Sequence, residues 1–504
     1  MIHNIIVILL RTTASILLII VIPSTVASYE IRDRILSYTL KNGLRILMVE
    51  RHLSPTVSFY IRHRVGAVNE NEGRTGTAHL LEHMLFKGTK TIGTKNYDEE
   101  HKVLELIAET GRKLDFEKMK GNKANRGRIK ALSERMEILQ KRHKKLFLEN
   151  EIGRLYVENG GDNVNASTGH DLTTYRVSLP SNRIELWARI EADRMTNPVF
   201  REFYSERNVV IEERKQRIES EPEGQLYEQF LATAYIAHPY RRPVLGWPSD
   251  MNFLSLDYTQ TFFKKYHAPN NTILAVVGDI NPANTLKIIE KYFGAIPSRH
   301  LVPSPITQEP PQTGERRTDI ISDANPEIAI GYHKPAMPDY DDYVFDVIES
   351  LLSKGRTSRF YKVLIEQKTL AESVRAVNGL PGAKYNNLFT IFARPRHPHS
   401  SAEVESAIYE EIEKLKTEAV PHRELQKVKN QINADFIRSL NSNSGMASTL
   451  SYFEAITGSY QYIADHIKVI ELVTSDDIVR VAKKYLTSKN RTVAQLVPKN
   501  KLYD

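Results

Sequence analysis

The stretch GTAHLLEHMLFKGT, residues 76–89, places two histidines and a glutamate within five positions of an apolar run. On a helix, residues four apart project from one face a turn apart. His79 and His83 can therefore offer imidazole nitrogens to one metal ion, and Glu82 borders that face without competing for a ligand position. Two neutral nitrogen ligands with a carboxylate beside them suit hydrolysis at zinc. The ion brings the pKa of a bound water to near ~7, and the carboxylate takes its proton and returns it to the leaving amine. Two histidines on an amphipathic helix can equally be polar surface, so the reading makes a further demand. A catalytic zinc takes three protein ligands, and the third must come from another element. SERNVVIEER, residues 205–214, can supply it: Glu206 and Glu213 are seven apart, on one helical face, while Glu212 points elsewhere.

Those side chains need elements to carry them. Leu80, Leu81, Met84 and Leu85 form the apolar stripe of a helix that Gly88 would stop. Ahead of it, YTLKNGLRILMVE alternates apolar and polar residues around Asn42-Gly43, a hairpin signal, and TVSFYIRHRVGA reads as a further strand. GGDNVNASTGHDLTTYRVSLP returns to strand character, RIELWARIEADRM and FREFYSERNVVIEERKQRIESEPEG read as amphipathic helices, and NNTILAVVGDI as a buried strand. Residues 100–152 are heavily charged, yet Ile129, Leu132, Met136, Leu139, His143 and Leu146 recur three and four apart. Val103, Leu106 or Ile107, and Leu114 suggest a partner helix, with GNKANRG as the turn. We expect an antiparallel helical hairpin inserted in the domain and packing mostly on itself. His170 and His238 read as structural, and GRTSR at 355–359 as a helix-start turn, since it lacks the spacing of a phosphate loop.

With 504 residues the chain is too long for a single core. The proline-rich HLVPSPITQEPPQTGE separates two halves that end alike: Lys-Lys-Tyr falls at 264–266 and at 483–485, each time ahead of an apolar β run, the mark of a duplication. The first residues are different. ASILLIIVI, 14–22, is about the length of a signal-peptide core, and PSTVAS supplies small residues for cleavage after Ala27 or Ser28. The expected organisation is a signal peptide at 1–27, a zinc-bearing domain at 31–300 with the hairpin at 100–152, a linker at 301–316 and a second domain at 317–504. The protein is expected to be exported to a bacterial periplasm or other extracytoplasmic space, and membrane-anchored if the signal stays uncleaved. No cysteine is present, which excludes thiolate metal sites and cysteine catalysis. The composition, 41% hydrophobic and 26% charged, is that of a soluble globular protein; the net charge of +8 is modest, and no Lys/Arg block with interleaved aromatics calls for nucleic acid.

TGTAHLLEHMLFKGT resembles the inverted zinc motif of the insulinase/pitrilysin-like metallopeptidases. The resemblance runs from residue 36 to 498 and takes in NVNASTGHDLTTYRVSLP and HPYRRPVLGWPSD. It implies an α+β fold of two homologous halves, each an antiparallel-rich sheet with helices packed on one side, enclosing a peptide chamber. It further implies Zn2+ held by His79, His83 and Glu213, Glu82 as the catalytic base, and Glu206 as a supporting residue. Asn165 and Ala166 fall on the edge strand along which substrate would lie. Two departures stand out. The hairpin lengthens the gap between the histidines and Glu213. Many members also carry an Arg and a Tyr in the second half that contact substrate, where this chain has Ile365 and Glu372. That implies a homologous partner subunit, or a homodimer, completing the site. The activity implied is a zinc endopeptidase acting on peptides or unfolded segments. The alternatives are a non-catalytic assembly subunit of the same fold and a membrane-anchored processing peptidase.

Overall fold

The computed structural model describes residues 33–300 and 305–499; the expected signal peptide lies outside them. The first half opens with the hairpin anticipated at Asn42-Gly43. Strands β1 (Ile35–Thr39) and β2 (Arg45–Glu50) pair antiparallel. Gly43 sits at φ +84°, a left-handed conformation that costs glycine little. Strand β3 (Thr56–His63) leads to helix α1 (Thr77–Met84), then to the long helices α2 (Tyr97–Met119) and α3 (Arg126–His143) and the short α4 (Glu151–Glu158). Strands β4 (Asp162–Thr168) and β5 (Thr173–Pro180) follow, then helices α5 (Ile184–Thr196), α6 (Phe203–Arg214) and α7 (Pro222–Ala234). Strand β6 (Thr272–Gly278), buried along its whole length, closes the sheet in the order β1-β2-β6-β3-β5-β4.

The second half repeats this pattern. Strands β7 (Arg316–Ser322), β8 (Ile328–Lys334), β9 (Ala371–Leu380), β10 (Asn387–Pro395) and β11 (Arg491–Pro498) form a sheet ordered β7-β11-β8-β10-β9. In each sheet one parallel pair, β2 with β6 or β7 with β11, is followed by antiparallel pairings out to an edge, β4 or β9. From β2 to β4 the first sheet matches the five strands of the second one for one, with β1 an extra edge strand; this match, with Lys-Lys-Tyr ending the helix before β6 and the helix before β11, bears out the duplication.

Strand alternation divides the first sheet between two cores. Ile46, Met48, Phe59 and Val276 face the first half's own helices, among them Trp187 of α5. Leu47, Val49, Ala275 and Val277 face the opposite way and join Met446, Ala447 and Leu450 of the second half's helix Asn443–Thr457. The reverse also holds: α7, from the first half, packs on β7, β11 and β8, and its Phe230 shares a core with Ala329 of β8, Leu388 of β10 and Leu496 of β11. Each sheet thus has its own helices on one side and a helix lent by the other half on its back. The described part of the linker, 305–315, has no helix or strand. Glu309 pins it by accepting the backbone N–H groups of Ile236, Ala237 and His238.

Helices α2 and α3 form the expected antiparallel hairpin, but it does not pack mostly on itself. Val103, Ile107, Met136 and Leu139 belong to the first half's main core. Glu100 and Arg201 are both fully buried and hydrogen-bonded to each other at 2.6 Å, and His143 closes on the same carboxylate at 2.9 Å. Asp115 of α2 receives two hydrogen bonds from Arg207 of α6. A Cβ at Gly111 would fall 1.9 Å from the Tyr204 ring, so α2 rests directly on α6.

Candidate metal centre

Helix α1 begins at Gly76, whose φ of +89° and contact with the Met251 sulfur leave no room for a side chain. No capping side chain sits at that position. The buried Glu70 takes the role from outside the helix, accepting the Gly76 N–H at 2.9 Å and the Ala78 N–H at 2.7 Å. A carboxylate there complements the positive end of the helix. Loss of water is the largest influence on Glu70 and pushes its pKa up to about 8, although the two amides and Arg242 pull the other way.

The helix then delivers His79, Glu82 and His83 as their spacing predicts. The Nε2 atoms of His79 and His83 lie 3.8 and 3.5 Å from the same oxygen of Glu213, on α6. Ligand atoms of the three residues all lie within 4.8 Å of one another. The other oxygen of Glu213 is held by Arg217 at 3.0 Å. Glu206, two turns earlier on α6, takes His83 Nδ1 at 2.8 Å, and its second oxygen receives Lys87 at 2.6 Å. Glu212 points away, exposed, to Lys215.

This donor set fits zinc. Ligands at ~2.1 Å in a tetrahedron stand about 3.4 Å apart, close to the two N···O separations. A metal-binding histidine commonly gives its other ring nitrogen to a carboxylate, as His83 does to Glu206. Burial, with His83 and Arg217 adding to it, depresses the His79 pKa to about 3, so the ring is neutral, the form a metal takes. Burial also works against a charge on His83, but the Glu206 hydrogen bond and the surrounding carboxylates outweigh it and raise its pKa. Desolvation opposes ionisation of Glu206 as well; hydrogen bonds from His83 and Lys87 overcome it and bring that pKa to about 2.

Glu82 is buried beside the three and accepts the Thr168 hydroxyl at 2.6 Å. Desolvation raises its pKa, with the Thr168 bond opposing. Thr168 ends β4, the sheet's outer strand, so that strand runs directly past Glu82. Asn165 and Ala166 lie on the same strand and line a cavity of about 630 Å³ with Glu82, His83, Lys87 and Glu206. Every lining residue of that cavity falls between 82 and 209. Neither Ile365, half-buried against the second core, nor Glu372, exposed on β9, is among them. His170 and His238 serve structure: the first bonds the Arg242 carbonyl and the second accepts the Tyr240 N–H. Sequence reasoning missed Thr168, Lys87, Arg217 and Glu70. Only Glu70 left a signal, an acid shortly before a helix start that lacks its own cap.

Known proteins resemble this chain in sequence and in fold. The sequence profile described as "Insulinase (Peptidase family M16)" matches residues 45–115 and 145–247, and "Peptidase M16 inactive domain" matches 254–432. The chain belongs to the M16 family of peptidases. Its M16 relatives include a "Zinc protease PqqE" of Helicobacter pylori, 27% identical over 92% of each chain. Another is a probable mitochondrial-processing peptidase subunit beta of Arabidopsis thaliana, 21% identical over 92% of this chain and 79% of the relative. The crystal structure of a protease from H. pylori superposes with a TM-score of 0.77 at 27% identity, covering 92% of this chain and 99% of that one. The first M16 profile leaves out residues 116–144, so the family's matched sequence includes most of α2 but not the hairpin's turn or α3.

Proposed function

We propose that the chain is a zinc-dependent endopeptidase that hydrolyses peptides or unfolded protein segments. The observation that carries this reading is the convergence of two histidine nitrogens on one oxygen of Glu213, with Glu206 seated behind His83. Zinc held by His79, His83 and Glu213 supplies polarisation of the scissile carbonyl and acidification of water. Glu82 is the base: it takes a proton from the attacking water and returns it to the departing amine. Its raised pKa suits both directions of transfer, because a group titrating nearer to neutrality gives up a proton as readily as it accepts one. Glu206 fixes the His83 ring, and Lys87 fixes Glu206. A substrate segment lies along β4 as an added strand, its backbone pairing beside Asn165 and Ala166.

Closing the cavity into a chamber falls to a homologous partner subunit or a second copy of this chain. Two observations support that: its walls come from the first half only, and Ile365 and Glu372 offer it no donor. The export expectation rests on residues 1–28 alone. The complete donor set favours a catalytic chain over an assembly subunit, although the profile matching the second half is named for an inactive domain.

Two variants test the reading. Glu213→Ala should purify without stoichiometric zinc and without peptide hydrolysis. Glu82→Gln should keep zinc while turnover falls by about 10²–10⁴-fold. Near-normal turnover in Glu82→Gln would remove Glu82 from the mechanism, and full zinc in Glu213→Ala would move the third ligand elsewhere.

A further inference from the structure

The hairpin insertion carries a surface that the metal centre does not use. Residues 112–130 hold eight Lys and Arg and two acids, a net of six positive charges in a chain whose total is +8. The fold sharpens this imbalance by turning both acids inward. Asp115 is buried against Arg207, and Glu117, 1% exposed, accepts the Asn125 N–H at the hairpin turn and pairs with Lys120. Amid the remaining cations Phe116 is 64% exposed and Met119 50% exposed. They lie three apart on α2, hence on one face, next to Lys113 and Lys120. Lys118, Lys123 and Arg126 make no ion pair among the described residues.

We infer that this end of the hairpin docks on an anionic lipid surface. An aromatic and a flexible thioether side chain at a helix end, ringed by lysines, match an interfacial membrane contact: apolar groups enter the headgroup boundary while ammonium groups meet lipid phosphates. Lysine stems reach alongside buried apolar groups and keep their charges in the polar layer. Nucleic acid is a poorer fit, since Phe116 is the only aromatic in the run and offers a single stacking platform. The apolar stretch 14–22 would bring the chain to a membrane. Helix α2 has 23 residues and is about 35 Å long, and Phe147 to Asn150, just past α3, line the metal-side cavity. Docking therefore holds the cleft within roughly one hairpin length of the lipid.

The test uses the full chain carrying Phe116→Trp, with the emission of the two native tryptophans subtracted from wild-type spectra. Vesicles of phosphatidylcholine with about one-third phosphatidylglycerol supply the anionic surface. Emission should shift to the blue and be quenched by brominated acyl chains. Pure phosphatidylcholine should produce neither change, and high salt should reverse both. Each basic residue near such a surface contributes about fivefold in partitioning, so adding Lys118→Glu and Lys123→Glu should weaken the response at least roughly 25-fold. Water-like emission at position 116 in a protein that co-sediments with the vesicles overturns the proposal, because another segment then holds the chain. Absence of sedimentation overturns it too. So does a blue shift with heparin or an oligonucleotide but not with vesicles, which would make the surface a polyanion site.

Discussion

Arg201→Met asks whether the hairpin is an appendage or part of the core that holds the metal. The Arg201 guanidinium is fully buried and donates five hydrogen bonds: two to Glu100, and one each to the carbonyls of Lys87, Thr89 and Ile92. Methionine fills much of the volume and donates none, leaving the buried Glu100 carboxylate without its cationic partner and two of its hydrogen bonds. Removing one member of a buried, hydrogen-bonded ion pair costs about 3–5 kcal/mol. At about 2–4 °C per kcal/mol for a domain of this size, the first unfolding transition should drop by roughly 6–20 °C. The pH dependence has a definite sign. Burial alone would raise the Glu100 pKa, but hydrogen bonds from His143 and Arg201 hold it below the usual carboxylate range. The pair's stabilisation is therefore present above the ordinary carboxylate pKa and is lost as the pH falls through the lowered value. The penalty of Arg201→Met should shrink in acid, where Glu100 can take up a proton. Thermal and urea unfolding of both proteins across pH measure this. A companion deletion, residues 100–152 replaced by a Gly/Ser linker, should yield no zinc-loaded protein, because α6 loses Asp115 and Gly111 from its side. Unfolding of Arg201→Met within about 1 kcal/mol of wild type, or a zinc-loaded deletion, would refute the reasoning.

Glu70 gives a stability effect of opposite sign. Its folded pKa of about 8 exceeds the unfolded value, so wild-type stability should fall as the pH rises from about 5 to 8. Relative to Glu70→Gln that loss should be on the order of a few kcal/mol, read from urea midpoints. Lys87→Met removes the cation behind Glu206 and should weaken zinc about 10–100-fold in a chelator competition, as changes behind a ligand typically do. Ala166→Pro should raise KM without altering zinc content. The Ala166 N–H is bonded by the Asn165 side chain, which places it on the outer side of the edge strand where substrate would pair.

The convergence of His79, His83 and Glu213 was legible in the sequence because helical geometry fixes relations four and seven apart without reference to the rest of the fold. The same holds for the Asn-Gly hairpin and the alternating strands. What could not be read was contact between distant segments. Thr168 meets Glu82 across 86 positions, and a hydroxyl at a strand end has no signature that aims it at a carboxylate. The hairpin misled for a related reason. Its charged positions suggested solvent, yet Glu100, Asp115 and Glu117 are buried, and Glu100 and Asp115 are held by Arg201 and Arg207, which the hairpin's own sequence does not contain. A heptad seam shows that two helices pack together; it cannot show that a third surface, here α6 and the Arg201 segment, closes on the same side chains.

Among the described residues the second half contributes nothing to the candidate metal centre and lends none of its side chains to the cavity, yet its presence has a direct physical cause. Its helix Asn443–Thr457 covers the back of the first sheet, burying Leu47, Val49, Ala275 and Val277. That contact is also polar and specific. Arg62 donates to Ser451 and Ser448, Arg45 pairs with Glu454, and Asn443 donates to the Thr56 carbonyl. Removing the second half would open an apolar sheet face to water, directly behind the strands that carry the cleft. Through α7 the first half buries the equivalent face of the second sheet. In a duplicated chain with this exchange of helices, one half can lose its chemistry but cannot be discarded, because each sheet's back belongs to the other half's core.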